Sequence, residues 1–283
     1  MIDSFLSKSD QAFAKKPKNG HGPARPVERL VSGSHPSPFS RMNLPIIALH
    51  YWAGAGREFD LLRRHLPPGQ CLLAPDLPGF GAQPAADFDY SISSYADWLS
   101  SFIATNQLAD YLLIGHSMGG KIALAWAARQ PPGLRGLLLL SPSPPTPEPL
   151  TEADRAASRA AYGQRTEAEK TLATITETPL PPDVRELILQ DNLRSSRAGW
   201  DAWLERGSKE DISALMPGVQ TSCRLLVGAA DRAITPATQR RATLPCLPAG
   251  TTLEEVPGAG HLLPLEAPGA VAAALATLCS DLR

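Results

Sequence analysis

Tyr111-Leu112-Leu113-Ile114-Gly115-His116-Ser117-Met118-Gly119-Gly120 decides how the rest of the chain is read. Four apolar residues run straight into Gly-X-Ser-X-Gly, and the helix-forming Lys121–Arg129 follows. That order predicts a strand, a sharp turn and a helix, with Gly115 and Gly119 at backbone positions too tight for a side chain. The Ser117 hydroxyl would stand above the end of a sheet, poised as a nucleophile. The pentapeptide is a weak signal in a chain this rich in Gly and Ser, so its surroundings must decide.

Outward from this stretch the pattern is regular. Pro45–His50 is a short apolar run of buried-strand type, followed by a Gly/Ala loop and the amphipathic Glu58–Leu66. The run Cys71–Pro75 ends in the turn-rich Asp76-Leu77-Pro78-Gly79-Phe80-Gly81, and Ser91–Gln107 reads as a helix with Tyr95, Leu99 and Phe102 on one side. Leu134–Leu140 is the strand after the Ser117 helix. The rhythm breaks at Ser141–Pro147, and residues 148–216 hold helical patterns without a convincing strand. It resumes with the strand Arg224–Gly228, a helix near Pro236–Leu244, the strand Thr252–Val256 and a terminal helix from about Pro264 to Leu282. Strands alternating with helices predict an α/β fold: a mostly parallel sheet of about six to eight strands with helices on both faces. The expected organisation is an extended or disordered segment over 1–43, a core of 44–147 and 217–283, and a helical insertion over 148–216.

Composition narrows the partners. With 27 Lys and Arg against 28 Asp and Glu, the net charge of −1 gives no global attraction to nucleic acid or anionic membranes. A small-molecule partner is the expectation, and oligomeric state is not legible. Cys71, Cys223, Cys246 and Cys279 lie far apart without Cys-X-X-Cys spacing, so we expect free thiols, no zinc site and a cytoplasmic protein. No run reaches the length of a membrane span. In residues 1–43, Lys15-Lys16-Pro17-Lys18 reads as a solvated extension rather than a nucleic-acid tail, Val27–Val31 as a candidate edge strand, and Met42 as a possible natural start.

A serine hydroxyl needs an imidazole to take its proton, a carboxylate to orient that imidazole, and donors for the oxyanion. In an open parallel sheet, loops after the carboxyl ends of strands gather on one side. Asp231 follows the strand ending at Gly228, and His261 follows the strand ending at Val256. Both are expected on the side where Ser117 sits. A lone Asp after a strand is commonly a helix cap or turn former, and a lone loop His is commonly structural. The other position open to the acid, after Leu140, offers no carboxylate over Ser141–Pro147.

Taken together, the order Ser117, Asp231, His261 resembles the α/β-hydrolase family, in its serine-nucleophile, esterase-like branch with a helical cap. The likeness covers about Met42 to the C-terminus. It rests on Gly115–Gly119, Asp76–Gly81, Leu226–Asp231 and Gly258–His261 followed by Leu265-Glu266-Ala267-Pro268. It implies that Ser117, His261 and Asp231 form a catalytic triad, that 148–216 is a cap, and that no metal or organic cofactor is needed. The oxyanion would be held by the amides of Met118 and, through likeness to the family's His-Gly-X loop, of Trp52. Tyr51 stands where that loop has glycine, which leaves Tyr51 or Trp52 as the second donor. His50 reads as a brace for the loop. Because two extra strands that usually begin the family's sheet have at most one candidate before Leu44, we expect about six strands with Cys71–Pro75 at or near an edge.

For the substrate pocket the candidates are Tyr51, His116, Tyr162, Trp200 and Trp203, each of which could equally serve packing. Lys121, one turn beyond Ser117, reads as a solvated or locally paired amine. Residues 148–216 carry 13 Asp and Glu against 9 Lys and Arg, so nothing marks them for an anionic substrate. The expected activity is hydrolysis of a carboxylic ester or related acyl compound. Thioesters, lactones, carbon–carbon bonds of diketones and perhydrolysis are open to the same chemistry, and a non-catalytic ligand-binding protein is the alternative of another class.

Overall fold

The computed structural model describes residues 44–83 and 87–282. The expectations for residues 1–43 lie outside them. Six parallel strands form one sheet in the order β2-β1-β3-β4-β5-β6: β1 (Ile46–Leu49), β2 (Leu72–Leu73), β3 (Tyr111–His116), β4 (Leu134–Leu140), β5 (Cys223–Gly228) and β6 (Thr252–Val256). Side chains alternate across a strand, and here both faces are buried, which is why the strands read as unbroken apolar runs. Ile47, Leu49, Leu113, Leu137, Leu139 and Leu225 pack on one face with Tyr95 and Leu99 of α2 (Ile92–Thr105) and Ile122 of α3 (Met118–Ala127). Ile46, Ala48, Leu112, Ile114, Leu138, Leu140 and Leu226 pack on the other with Leu62 of α1 (Asp60–Arg63) and with Val271, Leu275 and Leu278 near the C-terminus.

Among the described residues the sheet has six strands, within the expected six to eight, with β2 at one edge. That strand keeps only two paired residues of the predicted five. At the opposite edge β6 exposes Glu254 and Glu255, charges that discourage pairing with another chain. Between β4 and β5 the structure is helical: α4 (Glu152–Ala160), α5 (Arg165–Ile175), α6 (Pro182–Arg194) and α7 (Arg197–Ala202), the last continuing into a π turn over Trp203–Gly207. Thr151 and Asp154 form a reciprocal capping box at the start of α4.

Two predicted helices are broken. Pro236–Leu244 is the short α8 (Pro236–Thr238) followed by a π turn. The terminal helix is split into α9 (Leu263–Glu266) and α10 (Pro268–Asp281), with Ala267 at φ −141° between them. Proline has no N–H to continue the ladder and disfavours helical dihedrals in the residue before it, which is what Pro268 does to Ala267. Among the described residues no helix is long and apolar enough to cross a membrane, and all four cysteines are unpaired.

Candidate active site

Ser117 leaves β3 at φ 51°, ψ −115°, a left-handed backbone that a side-chain-bearing residue rarely adopts. The turn is held on all sides. Its amide donates to Leu140 O (3.0 Å), and its carbonyl accepts from Gly120 N and Ser143 N, both at 2.9 Å. A Cβ on Gly119 would stand 2.4 Å from Leu49 O, so the start of α3 can approach the end of β1 only with glycine there. Met118 opens α3, where an amide has no partner within the helix and points out of its N-terminal end.

Two more loops converge on the same end of the sheet. Asp231 follows β5 and His261 follows β6; both are buried. Asp231 Oδ1 accepts from the amides of Ala233 (2.8 Å) and Ile234 (2.9 Å), which leaves Oδ2 to meet His261 Nδ1 at 2.8 Å. Burial pushes the Asp231 carboxyl up, but the charge and hydrogen bond of His261, with hydrogen bonds from the Ile234 amide and Ser141, outweigh it and hold the group below the usual carboxylate range. Burial likewise pushes His261 down, and Asp231, Glu148 and Glu58 together raise it above its ordinary value. The loop itself is braced. His261 N donates to Ile175 O at 2.7 Å, while Glu266 Oε2 accepts from Gly260 N and Leu262 N.

His50 is indeed a brace. Its Nε2 accepts from Leu77 N at 2.9 Å, so the ring proton is on Nδ1 and is donated to Tyr51 O at 2.8 Å. Burial keeps this imidazole neutral by lowering its pKa. Asp76 ties the same two loops, accepting from Gly56 N (2.8 Å) and Ala82 N (2.7 Å). This gives the Asp76–Gly81 stretch its physical purpose. The left-handed residue of the loop after β1 is Ala53 (φ 63°), and Tyr51 is not among the positive-φ residues. Tyrosine at 51 therefore carries no glycine-like strain.

The pocket candidates divide. Trp52 and Trp200 have ring centroids 4.3 Å apart, and Tyr162 meets Trp200 edge-on at 5.5 Å. Tyr51 packs with Leu172, Ile188 and Leu262, while Trp203 packs in the main core with Met216 and Ile212. His116 is fully buried, with Nδ1 bonded to Glu58 and Nε2 to the His261 carbonyl, so its ring nitrogens are committed inside the protein. Of the two readings of Lys121, solvated or locally paired, burial excludes the first. Lys121 is fully buried and donates to Thr146 O (3.3 Å) and Glu210 O (2.5 Å), clasping the two ends of the helical segment, and burial lowers its pKa to about 8.

Two carboxylates escaped the sequence reading. Glu148, one residue past the stretch searched for a rival acid, is half-buried and acts electrostatically on His261, yet the imidazole is bonded to Asp231. Glu58 lies in the turn over Gly56–Phe59 and is fully buried against His116. Among the described residues no group of three or more His, Cys, Asp or Glu side chains is arranged to hold a metal ion.

The sequence profile described as "Alpha/beta hydrolase family" matches residues 30–274. A pimeloyl-[acyl-carrier protein] methyl ester esterase of Chromobacterium violaceum is 35% identical over 100 residues, 35% of this chain and 37% of that protein. A 2-succinyl-6-hydroxy-2,4-cyclohexadiene-1-carboxylate synthase of an Enterobacter species is 32% identical over 123 residues, 42% of this chain and 46% of that protein. The matched stretch thus spans less than half the length of these curated relatives. Among solved structures, an esterase from Exiguobacterium antarcticum superposes with a TM-score of 0.75 at 19% identity, covering 84% of this chain and 92% of its own, a likeness of fold.

Proposed function

The chain belongs to the alpha/beta hydrolase family, and from that premise we propose that it is a serine hydrolase acting on a carboxylic ester or related acyl compound. Ser117 is the nucleophile, His261 the general base and then acid, and Asp231 the group that orients the imidazole. The amides of Met118 and Trp52 hold the oxyanion. The observation that carries this reading is the 2.8 Å contact of His261 Nδ1 with Asp231 Oδ2. A ring that donates from Nδ1 keeps a lone pair on Nε2, the nitrogen that must accept the serine proton.

The chemistry runs in two halves. Ser117 Oγ bonds to the acyl carbon as its proton passes to His261 Nε2. That proton then goes to the departing alcohol oxygen as the acyl–oxygen bond breaks. Water gives a proton to the same Nε2, attacks the acyl-enzyme, and the proton returns to Ser117 Oγ as the acid leaves. We assign residues 148–216 as a cap, and Trp52, Trp200 and Tyr162 as a wall of the acyl site. The tilted Trp52–Trp200 contact and the edge-on Tyr162–Trp200 contact beside the loop after β1 support this. Four free cysteines favour a cytoplasmic location.

A fluorophosphonate probe tests the reading in one gel. Covalent labelling of the wild type and none of Ser117→Ala is expected. An unlabelled wild type would put the non-catalytic binding protein ahead. Rates on p-nitrophenyl esters of rising chain length, beside thioesters, lactones and a vinylogous diketone, then separate the acyl classes.

A further inference from the structure

Beneath the Ser117 turn lies a second pairing of carboxylate and imidazole that the acyl-transfer steps do not use. His116 closes β3 and Glu58 follows the loop after β1; they are 0% and 1% exposed. His116 Nδ1 is 3.0 Å from Glu58 Oε1, and His116 Nε2 is 2.9 Å from the backbone oxygen of His261. A carbonyl oxygen only accepts, so Nε2 carries a hydrogen. Nδ1 and Oε1 would repel as two bare lone pairs, so one further proton lies between them, on the ring or on the carboxyl. In either case Nε2 keeps its hydrogen for the His261 carbonyl. Glu58 Oε2 has no hydrogen-bond partner among the described residues, so the carboxyl makes its hydrogen bond through Oε1 to His116.

The arrangement grips the catalytic imidazole from a second side. Asp231 holds the His261 ring, Ile175 O takes its amide, and His116 takes its carbonyl, with the two histidine rings 5.2 Å apart. We propose that Glu58 and His116 are positioning residues, which share one buried proton and fix the placement of the His261 ring relative to Ser117 through the His261 carbonyl. This rests on the acyl-transfer reading of Ser117, His261 and Asp231 given above. Outer groups that orient a metal ligand from behind change activity by about 10- to 100-fold when removed, and an effect of that order is expected for a group that orients a catalytic imidazole in the same way.

The test uses full-length protein, p-nitrophenyl butyrate and nitrogen-15 NMR of the histidine side chains. Glu58→Leu and His116→Phe should lower kcat by about 10- to 100-fold with KM within about twofold, the mark of an interaction that matters in the transition state. Glu58→Gln, whose amide NH2 can donate to Nδ1 and so leaves the hydrogen on Nε2, and His116→Gln, which keeps a donor for the His261 carbonyl, should recover most of that loss. Because the two act as a unit, the Glu58→Leu/His116→Phe double variant should be little worse than either alone. In the wild type, NMR should show His116 Nε2 protonated at neutral pH. Folded Leu and Phe variants with wild-type kcat would overturn the proposal, as would a bare Nε2. Should those variants not fold, the NMR result on the wild type decides. A wild type inert to fluorophosphonate would sink the acyl-transfer reading instead, and the NMR result is independent of it.

Discussion

His261 faces three carboxylates: Asp231 bonded to its ring, and Glu148 and Glu58 farther off. Burial favours the neutral ring, while the charge and hydrogen bond of Asp231, helped by Glu148, favour the cation. The charges win, so the pKa lies above the ordinary 6.5. Since a general base must be neutral to accept a proton, kcat/KM should fall as pH is lowered, with its midpoint above 6.5. A pH–rate profile of the free enzyme on a p-nitrophenyl ester measures this, and a midpoint at or below 6.5 would contradict the charge balance. Asp231→Asn preserves shape but removes the charge that selects the Nδ1–H tautomer. It should cost about 10⁴-fold in kcat while the melting temperature changes little.

At the level of elements, the site depends on how closely α3 meets β1. Gly119→Ala places a Cβ 2.4 Å from Leu49 O, a backbone atom that cannot swing aside. A loss of about 1–3 kcal/mol is expected, readable as a lower denaturant midpoint. Wild-type stability in that variant would mean the turn is looser than described. The helical segment is pinned to the core by Arg57, whose Nε and Nη2 meet Asp191 of α6 at 2.9 and 2.6 Å, with Asp191 fully buried. Arg57→Ala leaves that carboxylate to Arg194 alone (2.8 Å). Because Arg57 is 31% exposed, the loss should be about 1–3 kcal/mol rather than the larger cost of a fully buried pair. Limited proteolysis should then cut within residues 148–216 sooner than in the wild type.

Across the whole molecule, stability owes nothing to disulfides among the described residues, and the thiols differ in exposure. Cys71 is exposed and Cys246 half-buried, while burial pushes Cys223 and Cys279 up to about 12 and 11. A thiol reagent should label Cys71 first and Cys223 and Cys279 only on unfolding, and a reductant should leave the melting temperature unchanged. Rapid native labelling of all four would contradict the packing. Much of this architecture was legible because its signals are local: apolar runs ending in glycine turns placed Ser117, Asp231 and His261 at strand ends. The Glu58–His116–His261 arrangement was not legible, since it joins residues 58 and 145 positions apart across three strand ends and no short spacing encodes it. The burial of Lys121 was hidden for a similar reason, because its partners are backbone carbonyls that only the fold supplies. The central claim, that Ser117 is the nucleophile, is tested most directly by steady-state hydrolysis of a p-nitrophenyl ester by wild type and Ser117→Ala. The account predicts a variant that melts like the wild type and loses about 10⁴- to 10⁶-fold in kcat. A folded Ser117→Ala with an unaltered rate would contradict it.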